Sequence, residues 1–129
     1  MGRIQGDDEM RRYKVNVTTA ADGSATAYTP RVSGELDSIH YVKTDFADGV
    51  DFTITDEATG ESLWTDTNIN ASEVVRPRAP VMDQSGAARL YAAGGTAVSS
   101  KIALASTRIK IVIAAGGNAK VGAFHFLVG

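Results

Sequence analysis

His40 and His125 are the two imidazoles of this chain, and imidazole is the group best suited to ligate a transition metal or to move a proton near neutral pH. Neither lies in a short ligand-spaced motif, so the two are not read as a metal or acid–base pair. Each reads as a strand residue presenting an amphipathic ring. A second cluster is acidic: Asp45, Asp48 and Asp51 sit in one short segment, and three carboxylates from one loop could converge on calcium. Their spacing departs from the EF-hand loop, and no bidentate Glu follows at its place. Asp48-Gly49 is also what a hairpin turn requires. A solvated turn is therefore the first reading, with calcium as the alternative.

Other chemistry is absent from the pattern. There is no cysteine, hence no thiolate nucleophile and no disulfide framework. No Gly-x-Ser-x-Gly elbow, phosphate loop or dinucleotide fingerprint occurs. Gly94-Gly95 and Gly116-Gly117 read as tight turns. The expectation is no catalytic residue, no metal and no cofactor: not an enzyme. Arg76-Pro77-Arg78 is the one basic group in a loop. Guanidinium forks suit carboxylates, so these residues are candidates for contact with an acidic patch on a partner. Trp64, the single tryptophan, reads as a core or half-core residue, with an interface anchor as the alternative.

Charge narrows the partners further. Thirteen basic and 15 acidic residues give a net charge of −2, without the basic excess of proteins that bind nucleic acid through its backbone. No run approaches the ~18 continuous apolar residues of a membrane-spanning helix. The N-terminal stretch is polar and acidic rather than carrying the apolar core of a secretory signal. The expected partner is thus protein, with neither nucleic acid nor membrane.

The elements that must carry these residues are strands. Tyr13, Val15 and Val17 alternate with Arg12, Lys14 and Asn16, the period-two pattern of a half-buried strand. Asp22-Gly23 reads as a hairpin turn into a second strand at about 24–30. A third, at about 35–43, alternates imperfectly, which suggests a bulge or contact on both faces. Residues 50–65 read as a hairpin turning at Thr59-Gly60. Residues 67–88, marked by Asn68, Asn70, Pro77, Pro80 and Gly86, read as a long irregular loop of the kind that carries function. Strands follow near 88–92 and 96–104. The clearest one is Arg108–Ala114, with Ile109, Ile111 and Ile113 on one face, and Gly116-Gly117-Asn118 leads to the last at about 119–128. No helical period appears. Short strands with frequent turns predict an all-β antiparallel sandwich or jelly roll over residues 10–129. Its core would include Val15, Val17, Phe52, Ile54, Ile109, Ile111 and Ile113. Residues 1–9 read as an extended arm whose Arg3, Ile4 and Gln5 are candidate contacts, although Met10 is an alternative start.

The segment Tyr41–Thr55, continuing through Glu57, Thr59-Gly60, Leu63-Trp64 and Asn68, is followed by Arg76-Pro77-Arg78. Then come Arg108–Ala114, Gly116–Lys120, Gly122, Phe124-His125 and Gly129. Over about residues 10–129 this pattern resembles small structural proteins of tailed bacteriophages and prophages, encoded among head and head–tail genes. The matching residues are turn and strand positions, not a catalytic signature. The resemblance implies a component of the virion, most specifically a capsid decoration or cement protein. Its partners would be the major capsid protein or neighbouring virion subunits, and it would be a homo-oligomer in the particle. A head–tail connector or tail-completion protein is the alternative. A carbohydrate-binding module of a tail tip or fibre is a second alternative and would need exposed stacked aromatics.

Overall fold

The computed structural model describes residues 10–129, and every described element is a strand. The strands are β1 (Arg11–Thr18), β2 (Ala25–Tyr28), β3 (Val32–Lys43), β4 (Val50–Asp56), β5 (Ser62–Ile69) and β6 (Glu73–Val75). They continue with β7 (Ala79–Pro80), β8 (Ser99–Ser100), β9 (Ile102–Thr107), β10 (Ile109–Ala114) and β11 (Val121–Val128). The first sheet runs β1-β11-β3-β6, with β9 also on β3. The second runs β2-β10-β4-β5, and β7 and β8 form a two-stranded ribbon. All pairings are antiparallel. The all-β, sandwich-like fold expected from the alternation is what forms.

The two main sheets face each other across one apolar layer. From β3 and β11 come Ile39, Tyr41, Phe124 and Phe126; from β4 and β10 come Phe52, Ile54, Ile109, Ile111 and Ile113, all nearly inaccessible to water. Phe52 stands edge-on to Tyr41 at 4.7 Å and to Phe124 at 5.0 Å, so aromatic contacts tie the sheets together. Trp64 closes this layer against Phe52 at 5.3 Å. Of the expected core, only Val15 is half-buried, while Val17 two positions on along the same strand is buried.

Three departures from the sequence expectation have physical causes. Asp22-Gly23 does not close a hairpin: β1 pairs with β11 and β2 with β10, in different sheets. Gly23, at φ 84°, lies against Gly116 and Gly117. Thr19 Oγ1 donates to the Gly117 carbonyl at 2.6 Å and accepts from Lys120 N–H at 2.9 Å. The two turns therefore cross between sheets together. Second, the 67–88 stretch is not one irregular loop. β5 extends to Ile69 because Asn68 takes a left-handed conformation (φ 56°), which Asn tolerates better than most residues, and β6 and β7 follow. Third, the strands expected near 88–92 and 96–104 are replaced by isolated bridges at Met82–Ala88 and Leu90–Ala97, then by β8 and β9. The bulge expected in β3 is present, where the register slips between Leu127 and Val128.

Candidate functional site

Residues 79–100 leave the sandwich and return beside their point of departure. Ala79 pairs with Ser100, and Pro80 with Ser99. Beyond that ribbon three segments meander. Val81 N–H donates to the Val98 carbonyl at 2.7 Å, Arg89 N–H to the Val81 carbonyl at 2.7 Å, and Val98 N–H to the Arg89 carbonyl at 2.9 Å. Asp83 caps the first turn by accepting from Ser85 and Ala87 N–H. This excursion is stitched by its own backbone and lends little to the main core. It nevertheless carries large apolar side chains in water: Tyr91 is 76 % exposed, Met82 55 % and Leu90 43 %. These are three of the large apolar side chains that the described residues leave exposed.

The base of the excursion is clamped by one carboxylate. Asp37, on β3, faces Arg78 just before β7 and Lys101 just after β8. Lys101 Nζ lies 3.4 Å from Asp37 Oδ1, Arg78 Nη2 lies 4.0 Å from it, and Arg78 Nη1 donates to the Asp37 carbonyl at 3.0 Å. Desolvation raises the Asp37 carboxyl, but hydrogen bonding and charge from Lys101, with help from Ser38 and Arg78, hold it below the ordinary range. Of the expected contact residues, Arg78 is thus committed within the chain. Arg76 is exposed and has no ion-pair partner among the described residues, and Pro77 is half-buried between them. Arg3, Ile4 and Gln5 lie outside the described residues.

A second surface feature lies on the outer face of the first sheet. His125 and His40 are direct cross-strand partners on β11 and β3. Lys14 on β1 stands opposite His125, and Val74 on β6 opposite His40. Arg12, His40, Val42, His125 and Leu127 line a depression of about 200 Å³. Ser38 Oγ lies 3.2 Å from His40 Nε2, whereas His125 Nδ1 is buried with no hydrogen-bond partner. Desolvation, followed by the positive charges of Arg12 and Lys14 and by His40, pushes the His125 imidazole below its usual value. The two histidines are 85 positions apart in sequence by their numbers (125 − 40), so only strand pairing could reveal them as neighbours.

The acidic cluster does not converge. Asp45 accepts from Val121 N–H, Asp48 pairs with Lys43, and Asp51 accepts from Asn68 N–H at 3.0 Å. Among the described residues no three His, Asp or Glu side chains come together as a metal site. Among the described residues no helix is long and apolar enough to cross a membrane.

No family model and no curated protein matches this chain. Fold and surfaces define an antiparallel, sandwich-like β-domain bearing a protruding apolar excursion.

Proposed function

We propose that this protein is a non-enzymatic structural component of a tailed-phage virion: a capsid decoration or cement protein that binds across shell subunits. Its partners are the major capsid protein and neighbouring copies, and its place is the assembled particle. The observation that carries this reading is the 79–100 excursion, which offers Met82, Leu90 and Tyr91 to solvent from a base held by Asp37. Aromatic and Met side chains are enriched at interface centres. The sequence resemblance supplies the virion context. Binding only the assembled shell stabilises that state by mass action.

The test is to produce particles with and without the chain and to locate it by electron microscopy. Many copies spread over the shell are expected. A single ring at one vertex would turn the reading to a head–tail connector, and absence from particles would overturn both. Replacing residues 81–98 with a two-residue Asn-Gly turn between Pro80 and Ser99 is expected to leave the sandwich folded and to abolish attachment. Attachment at wild-type occupancy would place the interface elsewhere.

A further inference from the structure

We propose that the outer face of the first sheet holds a binding site for a carboxylate carried on a short alkyl stem, seated between Arg12 and the His40–His125 pair. This inference is independent of the virion reading. It rests on four properties of the depression. First, its charged and titratable lining is cationic or basic: Arg12, His40 and His125, with Lys14 directly opposite His125 and no Asp or Glu among the lining residues. Second, the His125 Nδ1 has no acceptor among the described residues. A buried polar atom without a partner is costly, and once the ring is protonated both its nitrogens are donors. No carboxylate among the residues lining the depression supplies its counter-charge. Third, the rest of the lining is apolar: Val42 and Leu127. Fourth, about 200 Å³ accommodates on the order of six water-sized groups at ~30 Å³ each. That is room for a carboxylate and a few methylenes.

Competing ligands fit less well. A divalent cation would meet two imidazoles but also the repulsion of Arg12 and Lys14, without a carboxylate to offset it. Moreover, His40 Nε2 already lies beside Ser38 Oγ. Inorganic phosphate would satisfy the charge and leave Val42 and Leu127 uncovered. An alkyl carboxylate uses both halves of the site, with Arg12 supplying the fork that matches a carboxylate.

Binding is linked to protons. The groups facing His125 are Arg12 and Lys14 from β1 and His40 from β3, while β6 sets only Val74 in that row. In the free protein, desolvation and these charges disfavour the imidazolium. A bound carboxylate opposes the charges and restores it, so the complex takes up a proton. By reciprocity, protonation strengthens binding, and affinity rises as the pH falls.

The ring Cε1–H signals of the two histidines, followed by NMR, test this. The full chain is titrated with sodium butyrate against sodium chloride at equal ionic strength. The titration is run at about pH 5.5 and about pH 8, either side of the ordinary imidazole value. Saturable shifts of both rings are expected with butyrate at the lower pH, together with a rise in the His125 titration midpoint. Binding about tenfold weaker is expected at the higher pH, and about tenfold weaker again in Arg12→Gln, a change of roughly 1.4 kcal/mol each. Arg12 is exposed, so that variant keeps the fold. An end-blocked peptide with a central Glu separates the sources: equal binding assigns the side chain of another protein, and binding of butyrate alone assigns a free small acid. The proposal is overturned by shifts that only track ionic strength, by phosphate binding more tightly than butyrate, or by wild-type affinity in Arg12→Gln.

Discussion

Thr107 is the residue on which the junction between the two sheets turns. β9 ends with it in the first sheet, and β10 begins two positions later in the second. Its hydroxyl donates to Asp56 Oδ1 at 2.7 Å, and both side chains are buried. Asp56 Oδ1 also accepts from Ala58 N–H at 3.0 Å, capping the β4–β5 turn. A Thr107→Val substitution keeps the shape but removes a donor from a buried carboxylate, which costs about 1–3 kcal/mol. Urea unfolding is expected to show a loss in that range with an unchanged slope. A loss below about 0.5 kcal/mol would mean that water replaces the hydroxyl. Tyr41 is the opposite case. Its hydroxyl is buried without a partner, and burial, with help from the charge of Asp48, pushes it up to about 12. Tyr41→Phe removes an unsatisfied group while keeping the ring stacks. It is expected to be neutral, or stabilising by up to about 1 kcal/mol, in the same assay.

At the scale of elements, Gly122 on β11 packs closely against Phe46 in the β3–β4 turn. A Cβ on Gly122 would stand 2.5 Å from the Phe46 ring, far inside contact distance. Gly122→Ala is therefore expected to displace Phe46 and cost about 1–3 kcal/mol by overpacking, read as a lowered thermal midpoint. Phe46→Leu in the same chain should recover part of it, and a neutral Gly122→Ala would show that the turn moves freely. The elements themselves were largely legible in the sequence. The alternation in Arg108–Ala114 and Val50–Thr55 reports a buried face directly, since side chains on a strand alternate. Beyond the β4–β5 hairpin, what stayed illegible was which strand pairs with which. Asp22-Gly23 has the composition of a hairpin turn, but turn composition fixes local backbone angles, not the sheet to which the next strand is added. The same limit hid the His40–His125 pairing, which depends on β11 lying beside β3. It also hid the excursion, whose Pro, Gly and Ser content reads as irregular although its backbone is bridged.

For the molecule as a whole, acid is the condition to which the described surface responds. The unfolded chain protonates His125 at the ordinary imidazole value near 6.5, whereas the folded form holds that ring lower. Below about pH 6.5 the unfolded state binds more protons, so stability falls as the pH drops toward the lower folded value. The thermal midpoint is expected to decline between about pH 7.5 and about pH 5, and His125→Gln to flatten that decline. An identical slope in the variant would assign the acid sensitivity to other groups. One further consequence comes from the place of β11. It lies between β1 and β3, yet it follows every other element along the chain. While the ribosome is still making residues 44–120, β1 and β3 have no partner between them. At roughly 5–20 residues per second that interval is on the order of ten seconds, much longer than hydrophobic collapse. β3 can pair with β6 and β9 earlier, but the first sheet is completed, and β1 joined to it, only after Val121–Val128 has emerged. Until then the edges of β1 and β3 that β11 will join stay open.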